Sequence, residues 1–160
     1  MRNALAVEFD LWTNTGKEDD DDFFEDHISI HSNGNNLISS TGKPTALGYS
    51  RIADLADGIH HTVKVSYLPH LATKYFQNMT ANMNLLQYIK DNGESRRLGT
   101  LLVYLDEGVL QDEPILAIPL NLSVLLDLPQ SLAYAGFTGS TGRRWEKHDI
   151  MSWKWSELEF

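Results

Sequence analysis

The chain contains no cysteine and carries little positive charge. The absence of cysteine excludes disulfide bonds and metal sites built from thiolates. Thirteen Lys and Arg residues stand against 22 Asp and Glu residues, so the formal net charge is −9 at pH 7. Nucleic acids and anionic membranes are bound by clustered cationic side chains. This charge balance therefore argues against both as partners.

Long apolar runs are also missing. None approaches the roughly 18 residues that a membrane-spanning helix needs, and residues 1–6 are too short and too polar for a signal peptide. We therefore expect neither a membrane span nor a signal peptide in this sequence. Its 160 residues are enough to enclose one hydrophobic core, so we predict a single domain over residues 1–160.

The acidic residues are concentrated near the start of the chain, where nine of the 22 lie between Glu8 and Asp26. Residues 6–13 have the composition of a β-strand. The period of two in a strand places Glu8, Asp10 and Trp12 on one face and the apolar residues 7, 9 and 11 on the other. The strand therefore presents one apolar face and one face with two carboxylates.

If both faces of this strand are covered, the carboxylates need a cation, because an unpaired charge out of water is strongly destabilising. The four aspartates at 19–22 and His27 would supply further ligands. Oxygen ligands suit Ca²⁺, and a set that adds Glu and His suits Mn²⁺ or another transition metal. The residues thus predict a two-ion site. They equally fit an edge strand that faces solvent beside a solvated acidic loop.

Most of the remaining pattern is typical of β-strands separated by turn residues. The predicted strands cover residues 27–31, 59–67, 98–106, 114–119, 131–138 and 149–156. Several short strands at this spacing indicate an all-β fold, as an antiparallel β-sandwich or jelly roll. The prolines at 114 and 119 restrict their strand to a sheet edge, or lie at its ends.

Three features stand apart from this pattern. Apolar residues at 79, 83, 86 and 89 have helical spacing and predict a short helix. His60 and His61 are adjacent, so on a strand they would point to opposite faces and could not chelate one ion together. His31 is expected at the surface of its strand.

The acidic strand and the residues after it resemble the L-type (legume) lectins. The metal signature of that family is a Val-Glu-Phe-Asp strand, a residue whose carbonyl binds calcium, an Asn two positions further on, an Asp, and a His five residues after that Asp. The matching positions here are Glu8, Asp10, Trp12, Asn14, Asp22 and His27. Both the order and the spacing agree.

The resemblance implies which residues hold each ion. Asp10, Asn14, Asp22 and the Trp12 carbonyl would bind Ca²⁺. The Mn²⁺ ligands would be Glu8, Asp10, Asp22 and His27, with Asp10 and Asp22 bridging the two ions. Asp22 is preferred to Asp19, Asp20 and Asp21 only because of its distance from His27.

The C-terminal third is similar to the closing block of the same family. The shared features are Leu-Pro at 128–129, Gly-Phe-Thr at 136–138, Ser-Thr-Gly at 140–142 and His-Asp-Ile-Met-Ser-Trp at 148–153. The resemblance covers about residues 4–156 and implies a concanavalin-like jelly roll. Family members usually have a short turn where this chain has residues 69–97, so we interpret that stretch as an insertion that holds the predicted helix.

The resemblance also implies a carbohydrate site and the function of a carbohydrate-binding lectin, which is not an enzyme. The loop after Thr141 sets the choice of monosaccharide in the family, and here it contains Gly142, Arg143, Arg144 and Trp145. Asn14 would both ligate calcium and hydrogen-bond sugar hydroxyls. Trp12 and Trp145 are candidates for the aromatic wall that covers the C–H face of a sugar ring. Trp145 fits a packing role equally well, and the two arginines fit either acidic sugars or pairing with the acidic loop.

L-type lectins are longer than this chain, and several of their strands precede the Val-Glu-Phe-Asp strand. We therefore expect a truncated sandwich. Either the chain is a fragment of a longer protein, or a partner chain completes the sandwich, or the protein has a shortened site. Open sheet edges favour self-association, so a homo-oligomer is expected. Family membership would imply glycans or glycoproteins as partners, and secretion or the lumen of the secretory pathway as the location.

Two other functions fit the same fold. Jelly-roll β-glucanases carry a strand of the form Glu-x-Asp-x-Glu or Glu-x-Asp-x-x-Glu, in which two carboxylates flank the glycosidic bond. Glu8 and Asp10 begin that motif, but the third acid would fall at Trp12 or Thr13, so hydrolysis is disfavoured. The second alternative is an interaction module that keeps the lectin fold and has lost sugar binding.

Overall fold

The structure of the protein is a computed structural model. It describes residues 3–11, 26–32, 45–52, 55–79, 85–86, 89–90, 97–128, 132–139 and 147–157. Within these ranges the strands form two antiparallel three-stranded sheets, in the orders β1-β2-β3 and β4-β5-β6. The strands are β1 (Leu5–Asp10), β2 (His27–Ser32), β3 (Thr45–Arg51), β4 (Val63–Leu68), β5 (Gly99–Leu105) and β6 (Leu116–Leu120).

The first sheet is held in register by its apolar alternation. Val7 lies opposite Ile30, and Phe9 lies opposite Ile28. Both isoleucines are fully buried, and both β1 residues pack against the same core. A slip of one residue would expose these side chains, so burial of this face fixes the pairing. The prediction that residues 7 and 9 face away from Glu8 and Asp10 is confirmed.

The second sheet buries parts of both faces. On its inner face Leu101 and Val103 of β5 join Leu116 and Ile118 of β6 in the core that also contains Ile28 and Ile30. One core therefore lies between the two sheets, and the predicted antiparallel sandwich is confirmed. On the outer face a second cluster, formed by Ala72, Tyr75, Leu102, Tyr104 and Ala117, packs under the segment that precedes residue 79.

Short helices connect and cover the second sheet. They include a 3₁₀ helix (Thr73–Asn78), α1 (Glu107–Gln111) and α2 (Leu122–Leu126). Asn121 caps α2, since its side-chain oxygen accepts a hydrogen bond from the Val124 N–H at 3.2 Å. No described helix has the length and apolarity needed to cross a bilayer.

The helix predicted around residues 79–89 is described only in part. Residues 85, 86, 89 and 90 are helical, and Leu85 and Ile89 are buried in the main core. Leu86, which we expected on the apolar face, is 48% exposed. The prediction therefore holds for Ile89, and Leu85 takes the buried position that was expected for Leu86, which gives the pair the i, i+4 spacing of one helix face.

The predicted strands agree with the structure at β2, β5 and β6, and β6 does lie at a sheet edge. β4 begins at Val63, four residues later than expected, because the preceding turn is held by side chains: Asp57 accepts the Ile59 N–H and Asp106 accepts the Thr62 N–H. β3 was not predicted. Its sequence of small and polar residues alternates weakly, and its pairing with β2 decides its conformation.

The strand predictions at 131–138 and 149–156 are wrong for the residues that the structure describes. None of residues 132–139 or 147–157 is assigned to a strand, and their side chains are exposed. Alternation of apolar residues indicates which side of a strand would be covered. A strand also needs a neighbour that takes its backbone hydrogen bonds, and none of the described strands pairs with these two segments.

Candidate functional site

The outer face of the β1–β2 pair carries the polar residues that the sequence singled out. Asp10 lies directly opposite His27, and Glu8 lies directly opposite Ser29. Directly opposite residues of an antiparallel pair project to the same side of the sheet. Glu8, Asp10 and His27 therefore share one face, as the predicted ion site requires.

Burial differs sharply across this face. His27 and Ser29 lie on the central strand and are each 1% exposed, whereas Asp10 is partly buried and the Glu8 side chain is 49% exposed. The face is thus closed at the imidazole and open at the carboxylate of Glu8.

His31 makes a contact with Glu8 that the sequence analysis did not anticipate. Its Nε2 lies 2.9 Å from Glu8 Oε2, and its side chain is only 17% exposed, so it is not the surface residue that we expected. Ser29 Oγ lies 2.7 Å from the same Nε2 and donates to Glu8 Oε2 at 3.2 Å. The hydrogen bond with His31 lowers the pKa of Glu8, and partial burial of the carboxylate opposes that shift. A signal for this contact existed, since His27, Ser29 and His31 alternate along one strand face.

This cluster of Ser, His and Glu is not arranged for nucleophilic catalysis. In a catalytic triad the nucleophile and the acid contact different nitrogens of the imidazole, so that a proton can pass through the ring. Here Ser29 and Glu8 both approach Nε2. Ser29 is also buried and is closed to a substrate. The contacts instead fix the position of the Glu8 carboxylate.

The donor set on this face fits a divalent ion of the transition series. Strand register places two carboxylates and an imidazole on one face, and such a combination of oxygen and nitrogen ligands is of the kind that suits Mn²⁺. In the described ranges no group of three or more His, Asp or Glu side chains is close enough to hold a metal by itself. The further predicted ligands, Trp12, Asn14 and Asp22, lie outside the described residues, as do the predicted sugar contacts Gly142, Arg143, Arg144 and Trp145.

Comparison with protein-family models gives a match to the legume lectin domain over residues 1–159. The chain belongs to the legume lectin domain family. Comparisons with curated proteins and with solved structures gave no match. The jelly-roll sandwich of that family agrees with the two antiparallel sheets described above, and the family supports a lectin-type, carbohydrate-binding role rather than an enzymatic one.

A second polar cluster of this legume lectin domain lies at the start of β4. His61 Nδ1 is 2.8 Å from Asp106 Oδ2, and His61 Nε2 is 3.1 Å from Asp57 Oδ1. The hydrogen bond with Asp106 raises the pKa of His61, with a smaller contribution from Asp57. Because each nitrogen faces a separate carboxylate, the ring bridges two acids and ties the 57–61 turn to the end of β5. The two carboxylates lie on opposite sides of the ring, so this geometry is unsuited to chelation of one ion.

A third cluster joins the 3₁₀ helix to the end of α1. Asp112 accepts hydrogen bonds from Lys74 Nζ at 2.6 Å, from Tyr75 OH at 2.7 Å and from Tyr104 OH at 3.1 Å. Lys74 is the main reason that the pKa of Asp112 is lowered to about 2. The cluster borders an open depression of about 500 Å³ lined by Lys74, Tyr75, Gln111, Asp112, Glu113 and Pro114. Since Asp112 is occupied by three donors, we assign the cluster a structural role.

Proposed function

We propose that this legume lectin domain binds carbohydrate through a Ca²⁺/Mn²⁺ site that orders its sugar-binding loops. The observation that carries the proposal is the β1–β2 face, where Glu8, Asp10 and His27 project together in a chain whose match to the family model spans residues 1–159. Strand pairing between residues 17 positions apart produces this juxtaposition, which a solvated acidic loop would not require.

Glu8, Asp10 and His27 would hold Mn²⁺ together with Asp22. Asp10 would be shared with Ca²⁺, whose other ligands would be Asn14, Asp22 and the Trp12 carbonyl. When bound, the two ions supply positive charge that offsets the local acidic excess and would link Asn14 and Asp22 to the sheet. His31 and Ser29 hold the Glu8 carboxylate in position by hydrogen bonds at the solvent-facing end of the face.

The sugar would be bound by the residues that the family resemblance assigns to it. Asn14 would donate its amide to sugar hydroxyls, and Trp12 or Trp145 would cover the C–H face of the ring. Gly142, Arg143 and Arg144 would complete the specificity loop. A few fixed polar groups with an aromatic wall are the chemistry that carbohydrate recognition needs.

A glycan array probed with the purified chain tests the proposal. We expect binding in Ca²⁺ and Mn²⁺ that is lost in chelator and lost in Asn14→Ala. Gln77→Ala serves as the matched control, because it removes an exposed side-chain amide on the 3₁₀ helix, and its binding should equal that of the original chain. Glycan binding that survives both chelation and Asn14→Ala would refute the assigned site.

Family membership supports glycans or glycoproteins as partners and a secretory or extracellular location. We include self-association in the proposal. β4 has a strand neighbour only on its β5 side within the described ranges, and unpaired strand edges favour association with another chain.

A second candidate function is an interaction module that keeps the fold without binding sugar. Two observations favour it: Glu8 already has His31 and Ser29 as partners, and large apolar side chains are exposed in the C-terminal segments. This candidate predicts no response of thermal stability to either ion and no glycan binding. The array and the metal titration described below separate the two functions.

A further inference from the structure

The inner face of the second sheet is incompletely covered at its β4 edge. Strand register places Val63 opposite Leu105 and Val65 opposite Val103, so both β4 valines project to the side that forms the core. Val103 is fully buried, whereas Val63 is 42% and Val65 is 48% exposed. The apolar inner face of the sheet therefore extends across β4, where it is left partly exposed to solvent.

The chain also carries an apolar surface of the complementary kind. The C-terminal apolar segments, residues 132–139 and 147–157, contain seven large hydrophobic residues that are each at least 57% exposed: Leu132, Tyr134, Phe137, Ile150, Met151, Trp153 and Trp155. Phe137 and Trp153 meet edge-to-face with ring centroids 5.8 Å apart, so the two segments already contact each other. Contiguous exposed apolar surface of this kind marks an interaction site.

The sequence of the second segment, residues 147–157, suits it to cover the exposed inner face at the β4 edge. In an extended conformation Met151, Trp153 and Trp155 would share one face, and Ser152 and Lys154 would share the other. Such a strand has one apolar side and one polar side, which is the form needed to cover an inner sheet face. Trp and β-branched residues also favour pairing on a pleated surface.

We propose that the inner β4 surface of one copy is covered by residues 149–156 of a second copy, and that the exchange is reciprocal. In the single chain both surfaces stay exposed, so a second chain is the partner that carries the matching surface. A two-fold arrangement uses each surface once in each copy and closes the assembly as a dimer. The inference refines the self-association proposed above, and it stands apart from sugar binding.

The exposed area is sufficient for such an interface. Aromatic side chains bury roughly 150–250 Å² each when fully covered, and Trp153 and Trp155 are 57% and 68% exposed. The four Trp rings of two copies would then lose roughly 500 Å². Met151, the valines and the paired backbone would bring the total close to the roughly 1,200 Å² at which stable interfaces begin. The net charge of −9 opposes association, so the measurement belongs at 150 mM salt or above.

Complementation between two variants tests the exchange. Val65→Lys places a charge on the receiving face, and Trp153→Lys with Trp155→Lys removes the apolar side of the donated segment. Light scattering coupled to size-exclusion chromatography should show a dimer for the original chain and a monomer for each variant alone. An equimolar mixture of the two variants should form a heterodimer, because one intact receiving face meets one intact segment.

Leu110→Lys is the matched control. It replaces a side chain that is 90% exposed on α1, a helix that packs against the outer-face cluster through Val109, and it should leave the dimer intact. A monomeric original chain would overturn the proposal. A dimer of Val65→Lys would also overturn it, since it would indicate contacts between the C-terminal segments alone. Variants that stay monomeric when mixed would overturn it too, since they would indicate contacts within one chain.

A second measurement covers the case in which a lysine variant fails to fold. The chain has no cysteine, so Val65→Cys and Met151→Cys can be made in separate copies and joined with a short bis-maleimide. Exchange predicts a band of twice the chain mass from the mixture and little from either variant alone. A double variant that links only within one chain would refute the intermolecular form. None of these changes touches the β1–β2 face, so loss of the dimer with retained glycan binding would leave the proposed lectin function standing.

Discussion

Replacement of Asp10 by Asn separates the effect of metal binding from the effect of folding. Asp10 projects beside His27 and is the proposed ligand shared by both ions, so Asp10→Asn should remove the ion-dependent stability. Asn keeps the shape of the side chain at this partly buried position. In chelator, the loss of stability caused by Asp10→Asn is therefore expected to be small. The informative quantity is the difference in stability between the metal and chelator conditions.

The magnitude follows from linkage. A ligand present at 100 times its dissociation constant, and bound only by the folded state, stabilises that state by about 2.7 kcal/mol. For a chain of this size each kcal/mol changes Tm by about 2–4 °C, so the original chain should gain about 5–11 °C from the ions. Asp10→Asn should gain little or nothing.

Thermal unfolding followed by circular dichroism, with chelator and then with Ca²⁺, Mn²⁺ and both, measures this difference. Glu157→Gln is the control, because it removes one negative charge at an exposed position distant in sequence from β1 and should keep the full metal response. An equal Tm increase in Asp10→Asn and the original chain would refute the assigned ion site. No increase in either would favour the interaction module.

Two further predictions concern the other polar clusters. The pKa of His61 is raised above 6.5, chiefly by its hydrogen bond with Asp106, and the pKa of Asp57 is lowered below 3.8, chiefly by the Ile59 N–H, so the stability contributed by these contacts is complete between those two values. The contribution is lost as pH rises through the folded-state pKa of His61 or falls through that of Asp57; His61→Gln should thus destabilise the chain most between about pH 4 and 6.5. Urea unfolding across pH checks this, and a pH-independent difference would contradict it. Tyr104→Phe should lower the free energy of unfolding by about 1 kcal/mol, because it removes a buried hydroxyl and its hydrogen bonds to Tyr75 and Asp112. The Asp112 carboxylate is half exposed, so water can replace the lost donor there. Tyr134→Phe, at an exposed position, should leave the free energy of unfolding unchanged. Equal stabilities of the two variants would show that the hydrogen bonds of the Tyr104 hydroxyl contribute no stability.

The sequence by itself determined the strands whose pattern is local and strong. Residues 7–10 alternate between apolar and acidic, and β5 consists almost entirely of apolar and β-branched residues, so both could be predicted without knowledge of their neighbours. The spacing from Glu8 to His27 likewise indicated the family, which the match over residues 1–159 then showed. The family identification rests on short ordered motifs, and such motifs are properties of the sequence.

Only the tertiary structure decided which polar groups meet. The contact of His31 with Glu8 depends on the register of β1 against β2, and the bridge of His61 to Asp106 joins residues 45 positions apart. β3 is a strand because β2 offers it hydrogen bonds, whereas residues 149–156 have the better alternation and form no strand in the described chain. Alternation specifies which side chains a neighbour would cover. Whether that neighbour is present is a property of the assembled sheets.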